Sequence, residues 1–270
     1  MAARLGGSAR LLILVFSVLA GLALLFVVAP LVQLFATQTP SSFGHAAADP
    51  SVRAAIALSV ATAFVTAAIA LLLGVPLAYL LARHAFPGKS LAAALVDLPL
   101  AVPHTVVGIA LLLTFGRTGW LGILLGALTG VRFWGTAAGI VVAMLYVSLP
   151  YTVNAARIAF EAIEPDLEHA SRTLGAGAWV TFSRVTLPLA WRGILTGAML
   201  SGARALSEFG AIVILAYYPM VAPVKIYDLF LQGGLSGSSA AAVVFLLVVL
   251  VIFAGLRWLT RGGVRSGLGG

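Results

Sequence analysis

Residues suited to chemistry are scarce in this chain, because only 9% of it is charged. Asp97, His104, Arg204 and Glu208 stand inside long apolar runs. Two carboxylates and an imidazole are groups that could do acid–base work on a lipid or a peptide. A lone charge at the centre of a bilayer costs about 2.5 kcal/mol or more, so such residues are either paired or functional. Arg204 and Glu208 are four residues apart, on one face of a helix. They read either as a structural ion pair turned into a bundle or as a polar feature beside a passage. A lone histidine such as His104 is commonly satisfied by a backbone carbonyl; the alternative is a role in such a passage. Other chemistries drop out. There is no GxxxxGK(S/T) loop to cradle ATP and no HExxH metal spacing. The chain has no cysteine, which removes disulfides and thiolate metal sites. His45, His84, His104 and His169 are dispersed, and no serine is framed by a G-x-S-x-G elbow. No catalytic set converges, and neither a metal nor a cofactor is expected.

The elements that position these residues are membrane helices. The chain has 270 residues, 61% of them hydrophobic, and a mean hydropathy of +1.11. A soluble domain is about half apolar and about a quarter charged. The sequence therefore describes an all-α integral membrane protein, one domain over residues 1–270, embedded in a lipid bilayer. A net charge of +8 could suggest nucleic acid, but the basic residues are scattered at segment ends, so no nucleic-acid partner is expected. Six spans are expected, at about 11–36, 54–81, 91–115, 136–158, 188–216 and 240–256. The first core is too long for a cleaved signal peptide. A loop is expected up to Pro50, a kink at Gly74 and Pro76, and a basic turn at Arg83, His84 and Lys89. The third span contains DLPLAVPHTVVG, which reads as a proline-kinked helix or as a broken helix lining a passage. Leu121 to Leu128 is too short to cross. A short interfacial helix is expected around Val224 to Leu231, followed by a flexible GGLSGSS stretch. Arg4, Arg10, Arg83, Lys89, Arg172 and Arg265 fall on one side of a six-span arrangement, which places both termini in the cytoplasm.

One polar stretch interrupts this pattern, from Glu164 to Pro188. Pro165 suits the first turn of a helix. Asp166 and Glu168 lie in that turn and Arg172 in the last, each favoured by the helix dipole. Leu167, Ala170 and Leu174 form one apolar stripe, and Trp179, Phe182 and Val185 continue an apolar face. Gly175 stands where a left-handed helix stop belongs. Glu168 reads as a surface charge. By itself, the stretch reads as an amphipathic loop lying on the bilayer.

Its spacing resembles the cytoplasmic coupling loop of permease subunits of bacterial ABC importers. That pattern is Glu-Ala-Ala, three residues, Gly, nine residues, then Ile-x-Leu-Pro. Here it falls on His169, Ala170 and Ser171, on Gly175, and on Val185, Thr186, Leu187 and Pro188. His169 replaces the acid, with Glu168 one residue before. Leu98, Pro99, Leu100, Pro103, Thr105, Gly108 and the FGRTGWLG segment resemble molybdate, tungstate and sulfate permeases; His104 stands where these usually carry a second proline. RALSEFGAIVILAYYPMVAP from Arg204 is similar to the tungstate/molybdate branch. The resemblance implies six transmembrane helices with the coupling loop between spans four and five. It implies a homodimer with two ATPase subunits and an extracytoplasmic oxyanion-binding protein, in a bacterial or archaeal plasma membrane. It assigns Glu168, His169, Ala170, Ser171, Gly175, Leu187 and Pro188 to ATPase coupling. Pro103, His104, Thr105, Arg204, Ser207, Glu208 and Phe209 become candidates for the pathway or its gate. The expected function is import of molybdate or tungstate. The alternatives are a sulfate/thiosulfate permease of the same family, or a membrane-embedded enzyme using Asp97, His104 or Glu208.

Overall fold

The computed structural model describes residues 7–261, and all secondary structure among them is helical. Arg4 and Arg265, expected to mark the cytoplasmic side, lie outside the described residues. The helices are α1 (Gly7–Ala36), α2 (Pro40–Ala48), α3 (Pro50–Arg83), α4 (Lys89–Ala101), α5 (His104–Phe115) and α6 (Trp120–Thr129). They continue as α7 (Ala137–Glu161), α8 (Pro165–Thr173), α9 (Ala178–Thr181), α10 (Leu187–Leu206), α11 (Ile212–Leu215) and α12 (Ala222–Arg261). Among the described residues, four helices are long and apolar enough to cross a membrane: Ala9–Ala36, Pro50–Arg83, Ala137–Glu161 and Ala222–Arg257.

The centre of the molecule is the packing of α3, α7 and α10. One cluster joins Ala63 of α3 to Ile140, Ala143 and Met144 of α7 and to Ala205 and Leu206 of α10. A second joins Ala78 and Leu81 to Val153, Ala156 and Phe160, and to Ala190 and Ile194. So α3 and α7 run in the same direction and α10 runs against them. Small residues let the backbones approach, as membrane helices require when lipid is as apolar as their side chains. A Cβ at Gly193 would sit 2.3 Å from that of Ala159, and one at Gly197 would sit 3.0 Å from that of Ala155. Ser201 and Ala205 extend this stripe at intervals of four, both fully buried. By contrast, every side chain of α1 from Arg10 to Gln33 is exposed.

Several segments differ from expectation. The stretch at 91–115 is two helices bent by 114°. Pro103 restricts Val102 to extended backbone, and Val102 has φ −82° and ψ 133°. The loop before Pro50 is a helix, α2, closed by a capping box between Thr39 and Ser42. Asp49 then accepts from the amides of Ser51 at 2.7 Å and Val52 at 3.3 Å, capping α3. The fifth stretch does not run unbroken to Ala216, since α10 stops at Leu206. The GGLSGSS stretch is helical, with α12 interrupted only at Gly234 (φ 63°, ψ −149°); burial of Ser238, Ala240 and Ala241 against the body offsets the low helix propensity of the glycines.

Candidate functional site: a polar hairpin and a broken helix

The polar stretch forms a helical hairpin at the end of the bundle where α3 and α7 finish. Helix α8 ends as its sequence demands. The amide of Gly175 donates to Arg172 O at 2.9 Å and that of Ala176 to Ser171 O at 3.2 Å. This pair of reverse bonds needs a left-handed residue, and Gly175 has φ 87°. Beyond the turn, α9 does not stop before the next span. Phe182–Thr186 form a wide π turn that leads directly into α10, with the Leu187 amide bonded to Phe182 O. Pro188 follows at once; it has no N–H to offer and its ring crowds the preceding turn, which a widened turn relieves.

The hairpin turns its apolar stripe outward. Leu174 is 89% exposed and Trp179 76%, with Leu167 and Val180 also exposed. His169 and Ala170 are exposed beside them. Ser171 is half-buried, its hydroxyl 3.1 Å from that of Thr181. Leu187 packs against the second core cluster, that of Leu81 and Phe160, and Pro188 is exposed. Glu168 overturns its reading as a surface charge, for it is only 7% exposed. Its Oε1 accepts from Arg83 Nε at 3.2 Å and from the Thr186 hydroxyl at 2.7 Å. Arg83 also donates through Nη2 to Ile163 O at 2.8 Å. A charge taken out of water must be paired and hydrogen-bonded, and Glu168 is both. Arg83, Ile163 and Thr186 were not among the expected site residues. A single sequence carries no signal for a contact across 85 residues.

The second group of candidates meets where α5 starts and α10 ends. His104 occupies the first helical position of α5, the place that favours proline and tolerates a side chain free to turn sideways. Arg204 Nη2 donates to Glu208 Oε2 at 2.6 Å, and also lies 2.8 Å from Nε2 and 3.2 Å from Nδ1 of His104. Arg204 Nη1 donates to the Ser207 hydroxyl at 3.2 Å. Glu208, 1% exposed, accepts from the Ala211 amide at 2.8 Å through its other oxygen. Thus Arg204 and Glu208 form an internal pair, and the partner of His104 is a guanidinium, not a backbone carbonyl. Close approach is possible because Gly210 lies against His104; a Cβ there would be 2.8 Å from the Cβ of His104. Pro103, Thr105 and Ser207 are exposed around this cluster. Phe209 stacks edge-on with Tyr227 at 5.0 Å. Asp97 is elsewhere, on α4, accepting from Asn154 Nδ2 at 2.7 Å. Asp97 therefore stands apart from the His104–Arg204–Glu208 network, in which His104 Nδ1 also lies 3.6 Å from Glu208 Oε2, and among the described residues no group of side chains could hold a metal ion.

Known proteins resemble this chain over most of its length. The chain is 48% identical over 211 residues to the molybdate/tungstate transport system permease protein WtpB of Thermococcus kodakarensis, covering 78% of this chain and 80% of that one. It is 40% identical over 246 residues to WtpB of Pyrococcus abyssi, covering 90% and 94%. Its fold matches a chain in the crystal structure of a bacterial alginate ABC transporter in complex with an alginate pentasaccharide-bound periplasmic protein. There the TM-score is 0.71 at 20% identity, over 98% of this chain and 100% of that one. Residues 74–262, which include the hairpin and the cluster at α5 and α10, match the family of binding-protein-dependent transport system inner membrane components, and the chain belongs to that family.

Proposed function

We propose that this protein is the permease subunit of an ATP-driven importer of molybdate or tungstate. One observation carries the reading: a hairpin that turns Leu167, Leu174, Trp179 and Val180 outward while tying Glu168 into the bundle. An exposed apolar stripe on a rigidly held helix fits a groove on a partner protein, in the manner of helix-in-groove recognition. That partner is an ATPase subunit, two for each homodimer, because this chain has no phosphate-binding loop of its own. The oxyanion follows from the relatives named as molybdate/tungstate permeases. An extracytoplasmic binding protein delivers it on the opposite side.

In this reading the chain crosses the membrane six times, with both termini and the hairpin in the cytoplasm. Helix α10 supplies one crossing: its 20 residues reach about 30 Å, the thickness of the hydrocarbon core. The bent pair α4 and α5 supplies another. Non-helical backbone at membrane depth is tolerated where it is buried in protein or lines a water-filled cavity; Pro103 is exposed, and in this reading the break at Val102 and Pro103 borders the passage. Closure of the ATPases on ATP draws the two hairpins together. The tilt passes into α10 through the continuous run from α9, and into α7 through Ile163. The Arg204–Glu208 pair with His104 holds the start of α5 to the end of α10, so the two elements beside the passage move as one.

The test is ATP hydrolysis by the reconstituted complex, compared across molybdate, tungstate and sulfate in the presence of the binding protein. Stimulation by molybdate or tungstate at lower concentration than sulfate is expected. Stimulation only by an unrelated solute refutes the substrate, and failure to assemble with an ATPase refutes the reading as a whole.

A further inference from the structure

We infer that Glu168, Arg83 and Thr186 form an internal linkage that positions the coupling hairpin, so that its tilt is delivered to α3 and α10 together. The inference rests on the permease reading for its functional consequence, but its structural content stands on geometry.

Apart from this linkage, α8 is joined to the bundle by the short connections at 162–164 and 174–177 and by the Ser171–Thr181 contact. Helix α8 faces α9 and the π turn, and its apolar stripe faces away from the bundle. An amphipathic helix that turns its apolar side outward gains little from the bundle by burial, so a polar link contributes more to holding it. Glu168 is that link. Its Oε1 receives the Arg83 Nε proton at 3.2 Å and the Thr186 hydroxyl proton at 2.7 Å. The Arg83 side chain is 12% exposed and that of Glu168 10%. Arg83 is the last residue of α3, and its other arm holds Ile163, just beyond α7. Thr186, fully buried, closes the π turn at the head of α10. One carboxylate oxygen therefore joins α8 to the ends of α3 and α10, and the same guanidinium joins both to the chain leaving α7. These are the three helices whose packing makes the core.

This arrangement assigns different tasks to neighbouring residues. His169 and the apolar stripe face outward and meet the partner. Glu168, one residue before, faces inward and meets only this chain. Removing the Glu168 charge leaves the outward surface intact and frees α8 to move without carrying α3 and α10 with it. The expected defect is one of transmission, with docking retained.

The experiment has two arms. In the first, spin labels on cysteines at exposed His84 and Thr173 report the distance between the end of α3 and the end of α8 in this cysteine-free chain. The full-length protein gives one narrow distribution; Glu168→Gln and Arg83→Met each broaden it at least twofold. The charge-reversed pair Glu168→Arg with Arg83→Glu narrows it again. Unchanged width in Glu168→Gln overturns the linkage, whatever the protein transports. In the second arm, the complex with its ATPase and binding protein is assayed for molybdate uptake per ATP hydrolysed. Glu168→Gln co-purifies with the ATPase at wild-type level, while uptake per ATP falls about tenfold. Glu161→Gln, which breaks only the exposed pair with Arg157 at the same end, leaves both quantities unchanged. A wild-type ratio in Glu168→Gln, or equal loss of assembly and uptake, refutes the role in transmission. A wild-type complex that takes up no molybdate or tungstate refutes the permease reading of substrate, while the first arm still decides the linkage.

Discussion

Arg204 and Glu208 offer a perturbation whose size follows from their surroundings. Arg204→Met removes the guanidinium bonded to a carboxylate whose side chain is 1% exposed. Stranding one member of a buried pair costs about 3–5 kcal/mol, and Glu208 belongs at the upper end. Glu208→Gln strands a guanidinium that is 19% exposed and keeps its bond to Ser207. Its loss belongs at the lower end, about 3 kcal/mol. The glutamine also retains an oxygen for the Ala211 amide. Independent effects would sum to about 8 kcal/mol, whereas the double mutant, with no stranded charge, should lose no more than about 5. The difference, about 3 kcal/mol, lies at the top of the range for touching residues. At about 2–4 °C per kcal/mol, the double mutant should melt about 6–12 °C above the additive expectation. Thermal melts in detergent, followed by tryptophan fluorescence, measure this directly. Additive losses would show that the two side chains do not depend on each other, and the account of the α5–α10 junction would fail.

Three further outcomes are expected. A Cβ at Gly175 would meet no atom within 4 Å, so the cost of Gly175→Val is chiefly the left-handed backbone, about 1–2 kcal/mol; it should insert at wild-type level yet lose ATPase co-purification or uptake, and normal values of both would sink the coupling role. The Asp49 carboxyl is held below its ordinary 3.8, chiefly by the Ser51 hydroxyl and amide. Its capping of α3 is therefore complete above that value and lost as pH falls through the lowered one. Asp49→Ala should cost about 1 kcal/mol at pH 7, with the gap to wild type closing below about pH 3.8; a gap independent of pH would refute the cap. Single cysteines at Phe86 and at His45 test the topology: an impermeant thiol reagent added to intact cells should label His45→Cys and spare Phe86→Cys, and the opposite pattern would invert the molecule in the membrane.

What could be read in advance was mostly local. Gly175, Pro165 and the Leu-Pro at 187–188 announce the hairpin because caps and turns depend on neighbours a few residues away. Pro103 announced an interruption for the same reason, though a bend of 114° is decided by what packs on either side. The Arg204–Glu208 pair was legible because one helical turn separates the two. Glu168 was misread because its partners are remote: Arg83 lies 85 positions away. A charged residue at the surface and one anchored inside look alike until the fold closes around one of them. The apolar stripe of α8 was equally ambiguous, since periodicity reveals a face but not what will cover it.

The wide turn at Phe182–Thr186 has a consequence for angular phase. Each residue of an α-helix advances the side chains by about 100°. A deletion within α10 would swing everything beyond it by that angle and carry part of the stripe from Gly193 to Ala205 off α7. A π turn holds one more residue than an α turn at nearly the same angular position. One residue can therefore leave 182–186 while α9 and α10 keep their facing sides, provided that the hydroxyl of Thr186 remains.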